Sequence, residues 1–149
     1  MEKELLNSDK ELLLKDLCAR LPYGVKCEHF NRIYGKNVFK VTDIRDNGYI
    51  CGTINNKHCW AVFDPLELKP YLFPLSSITE EQKEEYNQSR LKDLRMLNSV
   101  LMERISDENN FDRLVVAHNE IDWLNKNHFD YRGLIPMGLA NDATGLNIY

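Results

Sequence analysis

Two short stretches hold most of the side chains that could do chemistry. In the first, Cys27 and His29 sit two residues apart, with Cys51, His58 and Cys59 further along the same region. Zinc takes thiolate and imidazole ligands in a tetrahedron. Residues i and i+2 of a strand share a face, so Cys27 and His29 could approach one ion together. The spacing argues against this, because no C-x-x-C pair is present and the adjacent His58 and Cys59 would point to opposite faces. Reduced cysteines of this kind ordinarily serve as small core hydrophobes. Cys51 or Cys59 could instead pair with His29 as nucleophile and base, yet no catalytic signature surrounds any cysteine. G-x-S-x-G, H-E-x-x-H and the phosphate-binding P-loop are all missing from the sequence. The expectation is no catalytic residue, no metal and no cofactor, and binding in preference to catalysis.

The second stretch is 121–135, IDWLNKNHFDYRGLI, which gathers three aromatic rings with His128, Arg132 and the carboxylates of Asp122 and Asp130. Trp, Tyr and Arg anchor cores and partner surfaces alike. Trp123, His128, Asp130, Tyr131 and Arg132 are therefore the candidate binding residues. They fit either a corner packed against the strands or a docking patch for a partner protein. Trp123 falls about 100° off the apolar stripe of its own helix, a position that flanks a core or faces solvent. His118 and Asp122, four apart, could form a metal or acid–base pair on one helix face. His118 lies on the apolar stripe, however, and is expected as a satisfied core or boundary histidine, with Glu120 and Asp122 facing water.

Composition narrows the partners. The chain has 149 residues, a net charge of −4 and a pI near 5.6, with 43% hydrophobic and 28% charged residues. That is the balance of a globular domain able to bury a core without disulfides. The acidic balance weakens duplex-DNA binding. A single-stranded nucleic acid is the alternative partner: Phe39, Tyr49, Trp60 and Phe63, with Lys26, Arg32, Lys36, Lys40, Arg45 and Lys57, could stack and neutralise it on a sheet face. No run of about 18 apolar residues offers a membrane span, and the acidic N-terminus lacks a secretory pattern. The expected setting is the cytoplasm, with reduced thiols. The expected partner is a protein of unknown identity or a second copy of the chain.

These residues need elements to position them. Ser8 and Glu11 spell a capping box before Leu13, Leu14, Leu17, Cys18 and Leu21, which predicts a helix over 9–21 ended by Pro22. From Val25 the period becomes two. Alternation around 25–29 and 38–44, the turn Asp46-Asn47-Gly48, a run over 49–54, a turn at 55–57 and a run over 58–63 predict an antiparallel meander. The Pro-rich segment 66–77 suits an extended edge. Thr79 with Gln82 is a second capping box, opening a helix to about Ile105. A third helix over 112–127 stacks Leu114, His118, Ile121 and Leu124. The Gly- and Ala-rich tail reads as loosely docked coil.

Three segments taken together resemble a known group: Leu21-Pro22-Tyr23-Gly24-Val25-Lys26, the run 69–77 leading into Thr79-Glu80-Glu81, and 121–125 through 128–135. The group is one of uncharacterised small proteins from gut Bacteroides-type bacteria, their prophages and mobile elements. The resemblance covers most of the chain, with 90–110 outside it and the tail from Met137 only partly alike. It implies a bacterial or phage cytoplasmic setting. No activity is attached to the group, so it lends no catalytic or binding residue.

The expected architecture is a single α+β domain: an N-terminal helix, a small antiparallel meander, either open or curled into a partial SH3-like barrel, and C-terminal helices. Residues 22–77 are mainly strand, 79–135 mainly helical and 136–149 a loose tail. The favoured function is a non-enzymatic binding or accessory module of a phage or mobile element. Single-stranded nucleic-acid binding on the sheet, and an enzyme with an unrecognised site, are the alternatives.

Overall fold

The computed structural model describes residues 2–31, 35–54, 57–101 and 110–149, with the side chains of 6–29, 36–54, 57, 63–90 and 118–149. Helix α1 (Glu2–Arg20) begins well before the predicted start. Ser8 therefore lies inside it and is not its cap, because the helix-favouring Glu, Lys and Leu residues ahead of it continue the helix toward the N-terminus. Its inner face, Leu13, Asp16, Leu17 and Arg20, follows the i, i+3, i+4, i+7 spacing, and all four are fully buried. Pro22 ends the helix as predicted, in a single 3₁₀ turn (Leu21–Tyr23) closed by Gly24 at φ +70°.

The strands are β1 (Lys26–Asn31), β2 (Gly35–Ile44), β3 (Ile50–Ile54), β4 (Lys57–Phe63), β5 (Leu68–Leu72) and a short β6 (Asn141–Asp142). They lie in the order β4-β3-β2-β1-β5-β6, antiparallel except for the parallel β5–β6 pair. The α+β class and the antiparallel meander are as expected. The sheet is open and does not curl into an SH3-like barrel, since β4 and β6 stand at opposite ends of the order.

Alternation works as the sequence suggests: Phe39 and Val41 are buried while Lys40 and Thr42 are exposed. Asn47 Oδ1 accepts from the Tyr49 N–H, and Gly48 takes φ +78°, so the predicted turn forms by Asx chemistry. The core on this sheet joins Leu17, Val25, Cys27, Phe39, Val41, Ile50, Phe63 and Leu68.

Two expectations about the ends of the sheet are corrected. The Pro-rich segment supplies an interior strand, because β5 lies between β1 and β6. Pro70 is tolerated there: it sits opposite Cys27 of β1, and the β6 pairing begins one residue later, at Tyr71. The tail is docked. Beyond the β6 pairing, Ala143 donates its N–H to the Leu72 carbonyl, and Ala140 packs with Leu13, Leu72 and Leu134 in a second core cluster. Of the small residues that read as loop, Ala140 and Ala143 are the buried ones.

The chain falls into two compact units: Met1–Leu75 with His128–Tyr149, and Ser76–Asn127. Residues 128–135, expected with the helices, belong to the sheet unit. The helical unit contains α2 (Glu80–Leu101) and α3 (Asn110–Lys126). The capping box that opens α2 is present, with Gln82 N–H on Thr79 Oγ1 at 3.2 Å and Thr79 N–H on Gln82 Oε1 at 3.0 Å. The predicted extension of α2 to Ile105 falls outside the described residues, and the side chains of Leu94, Leu97, Leu101 and Leu114 lie outside the described side chains. None of the described helices is long and apolar enough to cross a membrane.

Candidate functional site

The five candidate residues of the C-terminal stretch fall into different settings. Four belong to the sheet unit and are tied into its interior. Asp130 is buried, and its two carboxylate oxygens each accept a backbone N–H, from Leu134 and Ile135, both at 2.8 Å. It closes the turn that follows, and the Asp130 N–H donates to the Phe73 carbonyl at 2.8 Å.

His128 is 6% exposed and holds φ +59°. That is a left-handed backbone conformation a side chain rarely takes. Its ring stacks on Tyr149 at 3.7 Å and 11°. Burial, reinforced by the nearby charges of Arg20 and Lys26, brings its pKa from 6.5 down to about 4, although a hydrogen bond to the Tyr23 backbone works the other way. The imidazole is therefore neutral near pH 7.

Arg132 and Tyr131 are half-buried. The two oxygens of the Asp16 carboxylate divide between two arginines: Arg20 Nε reaches Oδ2 at 2.8 Å and Arg132 Nε reaches Oδ1 at 3.2 Å. The Tyr131 ring has a guanidinium at 5.6 Å from Arg20 and another at 4.8 Å from Arg132, within the reach of cation–π attraction. In this unit His128 and Asp130 are withdrawn from solvent and shape the chain, while Tyr131 and Arg132 keep part of their surface.

Cys27 is fully buried, and burial pushes its thiol well above the ordinary range, so it is neither a ready nucleophile nor a ready ligand. His29 lies against the Phe63 ring at 4.1 Å. Cys51 is buried as a free thiol. No three His, Cys, Asp or Glu side chains among the described residues are grouped to hold a metal ion. The side chains of His58, Cys59 and Trp60 lie outside the described set. Of the four sheet aromatics considered for base stacking, Phe39 and Phe63 are interior and meet edge to face at 5.1 Å. Tyr49 is exposed, with Lys10 Nζ 6.0 Å from its ring centre.

Trp123, the fifth candidate, belongs to the helical unit, and its surroundings differ. Its ring meets Tyr86 of α2 edge to face at 5.2 Å. Ile78, Lys83, Tyr86 and Asn87 with Trp123 and Leu124 line a recess of about 350 Å³. Lys83, Tyr86 and Asn87 follow the i, i+3, i+4 spacing that puts them on one face of α2. One turn along, Arg90 Nε lies 3.6 Å from Glu120 Oε1. Burial and a hydrogen bond to Glu120 push the Tyr86 hydroxyl pKa up to about 12.

These contacts rotate α3 away from the expected stripe. His118 and Ile121 are exposed, whereas Trp123 and Leu124 are half-buried and Glu120 is a bonded partner, not a solvated charge. Trp123 meets Tyr86 and Glu120 meets Arg90, so both of these side chains turn toward α2. Sequence pattern alone does not mark Tyr86 and Ile78 as site residues. The available signal was Tyr86 itself, the one ring in an otherwise polar first half of α2.

Among the described residues this recess is an arrangement that could receive another group. Its volume is at the small end of the roughly 300–1,000 Å³ range of ligand clefts. That suits one bulky apolar side chain better than a large cofactor. No family model matches the chain, and neither a curated protein nor a solved structure is found to be similar to it.

Proposed function

We propose that the chain is a non-enzymatic binding module, an accessory protein of a phage or mobile element in the cytoplasm, that acts through protein contacts. The partner seats an apolar side chain in the recess beside Trp123. The carrying observation is the recess itself, walled by Trp123, Tyr86, Ile78 and Leu124. Trp and Tyr provide large contact area at low conformational-entropy cost and dominate binding hot spots. Ile121, 44% exposed on the same helix, adds apolar surface nearby. The described cysteines are free thiols, which suits a reducing compartment.

Selection of random displayed peptides against the full chain tests this reading. Binders are expected to share a bulky apolar residue and to shift the Trp123 indole N–H resonance, identified by its loss in Trp123→Phe. Peptides that bind while leaving that resonance unmoved would place the docking surface elsewhere.

A further inference from the structure

We propose that residues 141–149 form an acid-released strap: proton uptake by His128 detaches this segment from the sheet unit and uncovers the outer edge of β5. One face of the His128 ring is covered by Tyr149, stacked at 3.7 Å. Its Nδ1 is buried and has no hydrogen-bond partner among the described residues. Protonating the ring while the strap is closed creates a donor without an acceptor and a charge shut off from water. The charged groups around the ring add to this cost. Arg20 of α1 and Lys26 of β1 both repel the new charge. The nearest carboxylates are committed elsewhere: Asp16 is divided between Arg20 and Arg132, and both Asp130 oxygens accept backbone N–H groups. A hydrogen bond to the Tyr23 backbone and the face of the Tyr149 ring favour the charged form, but they do not offset burial.

Of the elements packed on His128, the strap is held least firmly. α1 and β1 are anchored by Leu13, Leu17 and Cys27 in the core. In the strap only Ala143 is buried, while 144–147 are exposed and Tyr149 keeps 43% of its surface. Segments with few buried contacts open before the rest of a domain does. The strap's bonds to β5 are the short β6 pairing, the Ala143 N–H on the Leu72 carbonyl and the Tyr149 hydroxyl on the Tyr71 carbonyl. Breaking them hydrates the imidazole and leaves β5 as an end strand, with an edge that an extended segment can pair.

Amide exchange of the full chain between pH 7 and pH 4, corrected for intrinsic rates, tests the strap. Once released, His128 regains an ordinary affinity for protons, so the open form binds more of them and gains as pH falls. The opening equilibrium is expected to rise by about a hundredfold over this range. Protection of the Ala143 amide should fall by that factor. It should also stay below that of the Val41 amide, which is bonded to the Val25 carbonyl in the sheet. In His128→Asn the Ala143 protection should be nearly independent of pH. The comparison of Ala143 with Val41 in the unsubstituted chain stands whether or not that variant folds. Ala143 protection that does not change with pH would overturn the proposal. So would equal protection of Ala143 and Val41 at every pH, because the strap would then open only with the whole unit. The same fall in His128→Asn would assign the response to another group and overturn it too.

Discussion

Arg20 and Phe129 are 109 residues apart in sequence, and Arg20 Nη2 donates to the Phe129 carbonyl at 2.7 Å inside the sheet unit. The guanidinium is fully buried and also holds Asp16. A buried charge is tolerated only when paired and hydrogen-bonded. This contact therefore does two things: it satisfies Arg20 Nη2, although not the buried Nη1, and it fixes the returning segment 128–135 against α1. Arg132, on that same segment, reaches the other Asp16 oxygen.

Removing one member of this cluster strands the rest. Asp16→Asn or Arg20→Ala is expected to lower unfolding free energy by about 3–5 kcal/mol. Asp16→Asn combined with Arg20→Ala should cost clearly less than the two single losses added together, because no charge of that pair is left buried. Urea unfolding of the four proteins measures both. Additive losses would show that the pair is not coupled.

The depressed pKa of His128 fixes a sign. An unfolded chain protonates this histidine below about 6.5, whereas the folded chain resists until about 4. Between those values the unfolded state binds more protons, so stability rises with pH across the window and flattens above it. The full difference is about 3 kcal/mol. His128→Asn, which tolerates the left-handed backbone, should show a shallower stability slope between pH 4 and 6.5 than the unsubstituted protein. Parallel curves would mean that His128 titrates normally.

Gly52 of β3 pairs with Val41 of β2. A Cβ there would stand 2.0 Å from the Lys40 carbonyl oxygen and 2.6 Å from the Phe39 ring. Backbone cannot yield as a flexible side chain can, so Gly52→Ala is expected to cost more than about 2 kcal/mol. Gly145→Ala is the control: φ is +74° but nothing lies within 4 Å, which leaves only backbone strain of about 1–2 kcal/mol. Thermal unfolding of both variants distinguishes crowding from strain.

Tyr149 fastens the tail. Its hydroxyl donates to the Tyr71 carbonyl at 2.8 Å and accepts the Lys26 N–H at 3.1 Å, while Lys26 Nζ holds the Ile148 carbonyl at 2.5 Å. Tyr149→Phe keeps the stack on His128 and loses the hydroxyl bonds, at about 1 kcal/mol. Faster amide exchange at Ala143, with β2 and β3 unchanged, is the expected signature in hydrogen-exchange measurements. Unchanged exchange at Ala143 would show that β6 holds the tail without the tyrosine.

The sequence by itself determined what depends on near neighbours. The alternation that buries Phe39 and Val41, the Asn47-Gly48 turn, the Pro22 stop and the Thr79–Gln82 cap each involve residues a few positions apart, and each is present. Tertiary structure alone decided which surfaces meet. It placed β5 inside the sheet, docked the tail through Ala143 and Tyr149, drew His128 and Asp130 into the sheet unit, and turned α3 so that Trp123 faces Tyr86. The reason is that each of these is settled by partners distant in sequence. A histidine, an aspartate or a tryptophan has the same local preferences whether it ends up in a core or beside a recess, and only the partner brought against it selects between them.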